Sequence, residues 1–410
     1  MQQFLEQAKK SSRLISTLSG DIKNRVLNEM ADALLEHCDY IISHNNKDME
    51  AGKMNNLTAD IMDRLLLTGD RVTAMSKAIK EIAALKDPVG RTLEGWVTED
   101  GLNIQKVSIP IGVIGIIYES RPNVTSDTAA LCFKSGNVCV LKGGKEAEHS
   151  NKAIATVLRD VLDKNGLPQN AISLLPDSSR EGVAKLIKQD KYVDLIVPRG
   201  GEALIKYVCE NATVPVVKHD KGLCHTYIDK DANHEKAISI AINAKCSRPG
   251  VCNAMETMLV HKDVAAYILP PLHEAFMQNM TELRGCERTR EYIDIHCATE
   301  EDYDTEYLAN ILSIKVVSDL DEAIAHISKY GSGHSEAIIS ENYTSVNKFL
   351  NEVDAACVYA NASTRFTDGG AFGLGAEVGI STNKLHSRGP MGINDLTTFK
   401  FKILGNGQIR

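Results

Sequence analysis

The chain has 410 residues, which is enough for two or three domains that each bury a core. Hydrophobic residues make up 43% and charged residues 24%, which is typical of a globular protein and excludes a disordered or fibrous one. The formal net charge of −8 provides no general attraction for nucleic acid or an anionic membrane, so neither is expected as a partner.

Targeting signals and disulfide patterns are absent from the sequence. The longest nearly apolar stretch, Ile109–Tyr118, is far shorter than the roughly 20 residues of a spanning helix. Residues 1–10 contain no apolar signal core. The ten cysteines form no Cys-x-x-Cys pair, so reduced thiols are expected. We therefore expect a cytoplasmic protein.

The first 90 residues are predicted to be helical. An apolar stripe at helical spacing marks 23–38, for which Asp21 is a plausible cap, and further helices are predicted at 58–67 and 71–85. From residue 93 the pattern changes. Two short strands, 93–97 and 102–107, surround an Asp-Gly turn and predict a β-hairpin.

Two series of alternating strands and helices follow the hairpin and predict an α/β protein with parallel sheets. The first has strands at 113–118, 138–141, 172–175, 194–197 and 214–217, and helices at 124–134, 147–164, 181–188 and 202–210. The second begins near 226–229 and has strands at 255–260, 313–317, 337–339 and 356–359, and helices at 235–244, 264–277, 320–328 and 344–350. Residues 361–390 are predicted as loop. The alternating run 396–402 is predicted as an edge strand which, with the hairpin, meets a partner subunit.

Two strand-to-helix turns are candidates for phosphate binding. One is Lys142-Gly-Gly-Lys-Glu146, and the other contains Arg199, Gly200 and Gly201. Glycines there are often only structural, but two such turns at the carboxyl ends of parallel strands favour a ligand. A Rossmann fingerprint, a Walker A pattern and zinc or calcium motifs are absent, and Gly373–Gly379 only superficially resembles the first. No metal site is predicted.

Cys252 is the candidate nucleophile. It follows Arg248-Pro-Gly250, which breaks the preceding helix and places the thiol on a turn beside a cation, a setting that favours thiolate. The alternative is that Cys252 is one more packed thiol among ten, and Cys246 is the nearest competitor.

Asn123 is a second candidate for catalysis. It lies where the strand 113–118 gives way to the helix 124–134. Its side chain could simply cap the helix, or its amide could donate to a developing oxyanion.

Several segments resemble the aldehyde dehydrogenase superfamily: Pro110–Ile117 followed by Asn123, Gly136–Lys142, the segment from Glu306, and Cys252. The resemblance implies a Rossmann-type cofactor domain, a second α/β catalytic domain and a small oligomerisation β extension. It implies Cys252 as nucleophile and Asn123 as the oxyanion amide.

Longer strings make the chain similar to the γ-glutamyl phosphate reductase branch of that superfamily. They are Glu119–Thr125, Arg248–Ala254, Tyr330–Ala337, Asn361–Gly370 and Phe372–Ser381. The resemblance implies NADPH-dependent reduction of L-glutamyl 5-phosphate to glutamate 5-semialdehyde through a cysteinyl thioester, in proline biosynthesis. No kinase portion is present, so a stand-alone reductase is expected.

The resemblance also suggests roles for further residues and an organisation of the chain. Glu306 would orient the nicotinamide ribose, and Lys142, Arg199, Gly200 and Gly201 would bind the adenosine side of NADP. Arg121, Arg248 and Arg365 are candidates for the substrate's carboxylate or phosphate, because a guanidinium binds either anion with two hydrogen bonds; the alternative is that each forms a structural ion pair. The expected domains are a cofactor domain over 1–225, a catalytic domain over 226–360, and a return to the cofactor domain with a C-terminal oligomerisation strand over 361–410.

Partners and alternatives follow from the same features. A small-molecule substrate, a homo-oligomer and a glutamate 5-kinase that passes on the labile acyl phosphate are the partners considered. The chain lacks the general-base Glu of oxidising aldehyde dehydrogenases and has the charged segment Lys218–Lys221 instead, which counts against a general aldehyde dehydrogenase. A nucleotide-binding module without chemistry is the other alternative, and it predicts a buried, unreactive Cys252.

Overall fold

A computed structural model describes residues 1–217 and 221–410. In chain order, the elements of the first segment are α1 (Gln2–Ile15), α2 (Gly20–Glu36), α3 (Cys38–Met54), α4 (Ala59–Leu65), α5 (Gly69–Ala84), β1 (Thr92–Val97), β2 (Asn103–Pro110), β3 (Val113–Tyr118), α6 (Asn123–Lys134), β4 (Val138–Lys142), α7 (Glu148–Lys164), β5 (Ile172–Leu174), α8 (Arg180–Leu186), β6 (Leu195–Arg199) and α9 (Glu202–Asn211).

The elements of the second segment are β7 (Cys224–Ile228), α10 (His234–Cys246), β8 (Met255–His261), α11 (Lys262–Gln278), β9 (Glu282–Gly285), α12 (Glu287–Arg290), β10 (His296–Cys297), α13 (Glu300–Tyr303), β11 (Ile311–Val317), α14 (Leu320–Tyr330), β12 (Ser335–Ile339), α15 (Tyr343–Glu352), β13 (Cys357–Ala360), β14 (Gly379–Ser381), β15 (Gly389–Met391) and β16 (Thr397–Leu404). Among the residues described, no helix is long and apolar enough to cross a membrane.

The chain divides by its internal contacts into two units. Unit 1 comprises Met1–Lys218, Gly373–Gly379 and Met391–Arg410, and unit 2 comprises His219–Phe372 and Ile380–Pro390. The sequence placed this boundary at 225 and the return at 361. The division falls earlier because β7 pairs with β8 and β12 of the second sheet. It returns later because the segment 363–367 is hydrogen bonded to Asn253.

Unit 1 contains a parallel sheet with the strand order β5-β4-β3-β6. Every residue of β3 and β4 is buried, as expected for strands covered by helices on both faces. Because parallel strands end at the same edge of a sheet, the turns after β3, β4 and β6 are neighbours there. This edge carries all of the residues of unit 1 that the sequence selected as candidates.

Unit 2 contains a longer sheet, with the order β10-β9-β11-β8-β7-β12-β13 and parallel pairing throughout. The predicted α/β class with parallel sheets is therefore confirmed in both units. The strands β9 and β10, and the short helices beside them, were not predicted. The turn that carries Cys252 leads into β8, in the interior of this sheet.

A separate antiparallel sheet belongs to unit 1 and has the order β1-β2-β16. It confirms the predicted hairpin and the predicted final edge strand. Its apolar side chains are largely solvent-exposed in the single chain: Trp96 is 45% and Phe401 51% accessible, and their rings meet edge to face at 6.1 Å.

Two local predictions were wrong. The cap of α2 is Ser19, whose hydroxyl accepts from the N–H of Ile22, rather than Asp21, which lies within the first turn. Residues 214–217 form only a single parallel bridge, Ile196 to Val216, rather than a strand. The bonds around this bridge run from the N–H of Ile196 to the carbonyl of Pro215 and from the N–H of Val217 back to Ile196. Pro215 has no N–H with which to extend the ladder.

Candidate active site

Cys252 lies at the centre of a tight turn in unit 2. The helix α10 ends at Cys246, and the N–H of Ala254 donates to the carbonyl of Val251 at 3.0 Å, which closes the turn just before β8. Cys252 is half-buried, whereas Cys224 is buried. Cys246 is also half-buried, and burial raises the pKa of its thiol. The sulfur of Cys252 is thus not enclosed in the core, as a nucleophile requires.

The main chain of Cys252 rests on the segment that leads into β7. A Cβ atom on Gly222 would lie 2.0 Å from the carbonyl oxygen of Cys252 and 2.5 Å from its Cα, so only glycine allows this approach. The thiol of Cys224 donates to the same carbonyl oxygen at 3.2 Å, and burial raises its own pKa well above normal, which keeps it a donor. These contacts hold the main-chain carbonyl of Cys252, the candidate nucleophile, in place.

Glu306 is joined to this same support. Its carboxylate accepts a hydrogen bond of 2.8 Å from the N–H of Gly222. Glu306 was predicted to hold the nicotinamide ribose. In the structure, Gly222 contacts both Glu306 and the main chain of Cys252 and so links the two. Lys221 anchors the segment before Glu306 by donating to the carboxylate and carbonyl of Asp304 at 2.7 and 2.6 Å.

A buried ion pair supports the segment on the other side of Glu306. Lys245 donates to Glu256 at 2.6 Å, and both side chains are fully buried. Burial raises the pKa of Glu256, and the charge of Lys245 lowers it; burial has the larger effect, and the pKa is raised to about 7. The second carboxylate oxygen accepts from the N–H of Leu308 at 3.3 Å. Glu256 therefore ties β8, four residues beyond Cys252, to the chain that carries Glu306.

Two predicted arginines of unit 2 lie at the Cys252 turn. Arg365 donates to the side chain of Asn253, the residue after Cys252, and its Nε donates to the hydroxyl of Ser247 at 3.2 Å. Burial and then the charge of Arg248 lower the pKa of the Arg365 guanidinium. Two guanidinium groups that repel each other beside a nucleophile form a suitable site for a carboxylate or phosphate.

Asn123 is the first residue of α6 in unit 1. The cap of this helix is Pro122 and no side chain bonds its first N–H groups, so the interpretation of Asn123 as the helix cap is wrong. Its amide instead donates to the carboxylate of Asp127 at 2.9 Å. Arg121 lies two residues earlier, on the exposed turn after β3. The structure therefore places Arg121 in unit 1 and the other two candidate arginines in unit 2.

Lys142 is the last residue of β4 and is nearly buried. Burial lowers the pKa of its ammonium group, and the carboxylates of Glu146, Glu119 and Asp177 act in the opposite direction. A Cβ on Gly144 would lie 2.1 Å from a carboxylate oxygen of Glu146. The turn after β4 thus brings the carboxylate of Glu146 close to the ammonium group of Lys142.

The turn after β6 is held by Glu119, which was not among the residues predicted from the sequence. Glu119, the first residue after β3, accepts from the N–H of Gly201 at 3.0 Å, and a Cβ on Gly200 would lie 2.6 Å from the same oxygen. The guanidinium of Arg199 lies against Gly379, where a Cβ would be 2.9 Å from its Nη1.

The edge of unit 1 suits a dinucleotide. Lys142 and Arg199 supply positive charge at this edge, and the carboxylates of Glu119 and Glu146 can accept from ribose hydroxyls. At the turn after β6, the carboxylate of Glu119 already accepts from the N–H of Gly201 and would repel a second anion there. Lys218–Asp220 lie outside the described residues. Within the described part of the chain, no cluster of three His, Cys, Asp or Glu residues is arranged to hold a metal ion.

Several supporting residues were missed because their partners are distant in sequence. Glu119 and Gly201 are 82 residues apart, Gly222 and Glu306 are 84, and Cys224 and Cys252 are 28. Asp127 is different, because its spacing of four residues from Asn123 places both on one helix face and was readable from the sequence.

Comparisons with known proteins agree with the resemblance. The profile of the aldehyde dehydrogenase family matches residues 1–288 and 298–400. A γ-glutamyl phosphate reductase of Aliarcobacter butzleri (strain RM4018) is 70% identical over 410 residues, which is 100% of both chains. The crystal structure of the γ-glutamyl phosphate reductase of Thermotoga maritima matches with a TM-score of 0.98 at 45% identity, and the match covers 100% of this chain and 99% of that one.

A more distant structure shares only the fold. An acetylating aldehyde dehydrogenase from Geobacillus thermoglucosidasius matches with a TM-score of 0.69 at 16% identity, over 100% of this chain and 97% of that one. The expected aldehyde-dehydrogenase-like fold is therefore confirmed.

Proposed function

Because the chain belongs to the aldehyde dehydrogenase family, we propose that it reduces L-glutamyl 5-phosphate to L-glutamate 5-semialdehyde and phosphate. The reaction is the second step of proline biosynthesis from glutamate, and the chain is an oxidoreductase. The observation that carries this function is the identity of 70% with a γ-glutamyl phosphate reductase over the whole of both chains. The half-buried thiol on the Cys252 turn supports the chemistry.

In the first step, the thiolate of Cys252 attacks the activated γ-carbonyl carbon. A carbon–sulfur bond forms, the carbonyl oxygen becomes an oxyanion, and the carbon–oxygen bond to phosphate then breaks. The amide of Asn123 and the N–H of Cys252 donate to the oxyanion, which lowers the barrier because the charge appears only in the transition state. Phosphate leaves as a stable anion and a γ-glutamyl thioester remains.

In the second step, Cys252 is the leaving group. The nicotinamide cofactor supplies hydride to the thioester carbon when it is bound. Cys252 then departs as thiolate and the aldehyde is released, so the sulfur returns to its starting state. No activated water is needed in either step, which explains why a general-base Glu is not required at the segment before Gly222.

Substrate recognition falls to the arginines. Arg248 and Arg365 carry adjacent positive charges beside Cys252, and we assign them to the substrate's carboxylate or its phosphate. Arg121 is the further candidate for the same groups from unit 1. A guanidinium binds either anion with two parallel hydrogen bonds, so it both attracts and orients the substrate.

The cofactor we propose is NADPH. The family uses nicotinamide cofactors, and the residues of this chain assigned to the dinucleotide are Lys142, Arg199, Gly200, Gly201 and Glu306. Because Glu306 also bonds the N–H of Gly222, a ribose that binds this carboxylate would contact the support of the nucleophile directly.

Assembly and location are part of the proposal. The exposed apolar face of the sheet β1-β2-β16 is suited to pairing between copies of the chain, so we propose a homo-oligomer. We further propose that the enzyme is cytoplasmic and that it receives its labile acyl phosphate from a glutamate 5-kinase. Co-elution of the two proteins tests the contact with the kinase. If the two proteins elute separately at micromolar concentrations, this part of the proposal is wrong.

The reaction is tested in reverse, with glutamate 5-semialdehyde and NADP⁺. We expect steady turnover only when inorganic phosphate is present, because phosphate must cleave the thioester, and a higher kcat/KM with NADP⁺ than with NAD⁺. Equal turnover without phosphate would instead identify a general aldehyde dehydrogenase. A preference for NAD⁺ would contradict only the cofactor assignment.

A further inference from the structure

The first turns of α6 hold a small polar cluster around Asn123. The Nδ2 of Asn123 donates to Oδ2 of Asp127 at 2.9 Å. The hydroxyl of Ser126 lies 3.3 Å from Oδ1 of Asp127 and donates to the main-chain carbonyl of Asn123 at 2.9 Å. Three residues of one helix turn are thereby tied together, although none of them caps the helix.

A carboxamide has two chemically different ends, and only one of them can stabilise an oxyanion. The NH₂ group donates two hydrogen bonds, whereas the oxygen only accepts. If the amide turned over, its oxygen would face the developing negative charge and raise the barrier. An enzyme that uses Asn123 as a donor therefore needs a device that keeps Nδ2 in place.

Asp127 has the properties of such a device. An ionised carboxylate only accepts hydrogen bonds, so the group of Asn123 that faces it has to be the NH₂ end. One N–H is then committed to Asp127, and the second N–H on the same planar nitrogen points away from the carboxylate at a fixed angle. Binding the carboxylate thus determines the direction of the remaining donor.

The carboxyl of Asp127 is half-buried, and its pKa is raised but stays below neutral pH. Burial raises the pKa of its carboxyl to about 6, and the hydrogen bonds from Asn123 and Ser126 and the charge of Arg199 on β6 lower it. It therefore remains mostly anionic at neutral pH. The hydrogen bond from the amide of Asn123 to this carboxylate is therefore charge-assisted, which strengthens the hold on the amide.

We propose that Asp127 is a positioning residue that fixes the Asn123 carboxamide with its free N–H available to the oxyanion. The proposal rests on the proposed function, in which Asn123 is the oxyanion donor. It assigns to Asp127 an effect on the rate of the chemical steps, exerted through Asn123 and not through contact with the substrate.

The test is a double-mutant cycle of Asn123→Ala and Asp127→Asn. Removal of an oxyanion donor typically lowers kcat about 100-fold or more. We expect Asp127→Asn to lower kcat by about 10-fold with KM nearly unchanged, because an asparagine can accept or donate and no longer enforces the orientation. In the double variant the second change should cost nothing further, since the group it positions is gone.

Two readouts and two further variants separate positioning from a loss of structure. The melting temperature and the rate of Cys252 alkylation by iodoacetamide should match the unmodified enzyme in all variants. Asp160→Asn, at an exposed position of α7 in the same unit, is the matched control and should keep full activity. Asp127→Ala, which removes the acceptor altogether, should lower kcat at least as much as Asp127→Asn.

The results separate the positioning role of Asp127 from the role of Asn123 as oxyanion donor. Two results would overturn the positioning role and leave the proposed function intact. One is that the losses of kcat multiply in the double variant, and the other is that Asp127→Asn keeps full activity while Asn123→Ala is impaired. Full activity of Asn123→Ala would show that Asn123 is not the oxyanion donor, and the inference would fail with that assignment. Phosphate-dependent turnover in all variants would still support the overall reaction.

Discussion

Gly222 is the residue on which the geometry of the Cys252 turn depends most directly. A Cβ atom at this position would lie 2.0 Å from the carbonyl oxygen of Cys252, which also accepts from the thiol of Cys224. The N–H of Gly222 donates to Glu306. Any side chain at position 222 would displace the turn, and with it the sulfur and the main-chain N–H of Cys252. A displacement of about 1 Å at a reacting group commonly costs two orders of magnitude in rate.

We therefore predict that Gly222→Ala lowers kcat by about 100-fold while the melting temperature changes by only a few degrees. Gly69→Ala is the matched control, because a Cβ at that position meets nothing within 4 Å and activity should be unchanged. Steady-state kinetics and thermal unfolding of both variants provide the measurement. Normal kcat for Gly222→Ala would show that the contact does not position the nucleophile.

At the residue scale, the sequence predicted the turn that carries Cys252 better than the contacts that support this turn. The helix-breaking Arg248-Pro-Gly250 correctly placed Cys252 on a turn, because proline and glycine act through local backbone geometry. The roles of Gly222, Cys224 and Glu119 depend on contacts between distant parts of the chain, which local patterns do not contain. The helix-cap interpretation of Asn123 failed because Pro122 takes that position.

Among the elements, the short helix α13 fixes the beginning of the segment that carries Glu306. Asp302 accepts from the N–H of Thr299 at 2.7 Å, from Arg284 at 2.6 Å and from the hydroxyl of Tyr307 at 2.8 Å. Burial of Asp302 would raise its pKa, but the hydrogen bonds from Thr299, Arg284 and Tyr307 outweigh it, so the pKa lies well below the usual value.

We predict that Asp302→Asn lowers the stability at pH 7 by about 2 kcal/mol, since it removes charge-assisted hydrogen bonds from a buried acceptor. A carboxyl with a depressed pKa in the folded state stabilises above its usual pKa of 3.8, and this contribution is lost as the pH falls toward the folded-state value. The difference in melting temperature between the two proteins should therefore shrink below about pH 4.

Thermal unfolding at pH 7 and at decreasing pH values checks this prediction. Glu301→Gln, at an exposed position of the same helix, is the control and should melt like the unmodified chain at each pH. A difference between Asp302→Asn and the unmodified chain that stays constant down to pH 3 would show that ionisation of Asp302 is not the cause.

Elements with strong periodicity were predicted with bounds close to those observed. The apolar run 113–118 coincides with β3, and the predicted helix 124–134 differs from α6 by one residue. The strand β9 (Glu282–Gly285) was missed because its four residues alternate too briefly to stand out, and its pairing with β11 is what defines it. Short strands depend on their neighbours in the sheet more than on their own residues.

At the scale of the whole molecule, the sheet β1-β2-β16 is the feature that a single chain leaves incomplete. Its exposed face includes Trp96, Phe399 and Phe401, and exposed aromatic side chains on an antiparallel sheet are typical of a surface that a partner covers. The sequence predicted a subunit contact here from the hairpin and the edge-strand pattern, and the structure adds the exposed apolar face that such a contact would bury.

We predict that Phe401→Glu dissociates the oligomer into smaller species, because it introduces a charge among the apolar side chains of this face. Lys402→Gln, whose side chain projects from the opposite face of β16, should leave the assembly intact. Size-exclusion chromatography with light scattering measures both. An unmodified protein that is monomeric at micromolar concentrations, or a Phe401→Glu variant of unchanged size, would contradict the assigned surface.

The central claim is that Cys252 becomes the carrier of the glutamyl group, and trapping that group tests it most directly. Enzyme mixed with glutamate 5-semialdehyde and NADP⁺ without phosphate should release a burst of NADPH equal to the number of active sites, then stop. Mass spectrometry of the quenched enzyme should locate the γ-glutamyl group on the peptide containing Cys252, and added phosphate should remove it. Cys246→Ala should behave like the unmodified enzyme. A full burst from Cys252→Ala, or a glutamyl group on another residue, would contradict the account.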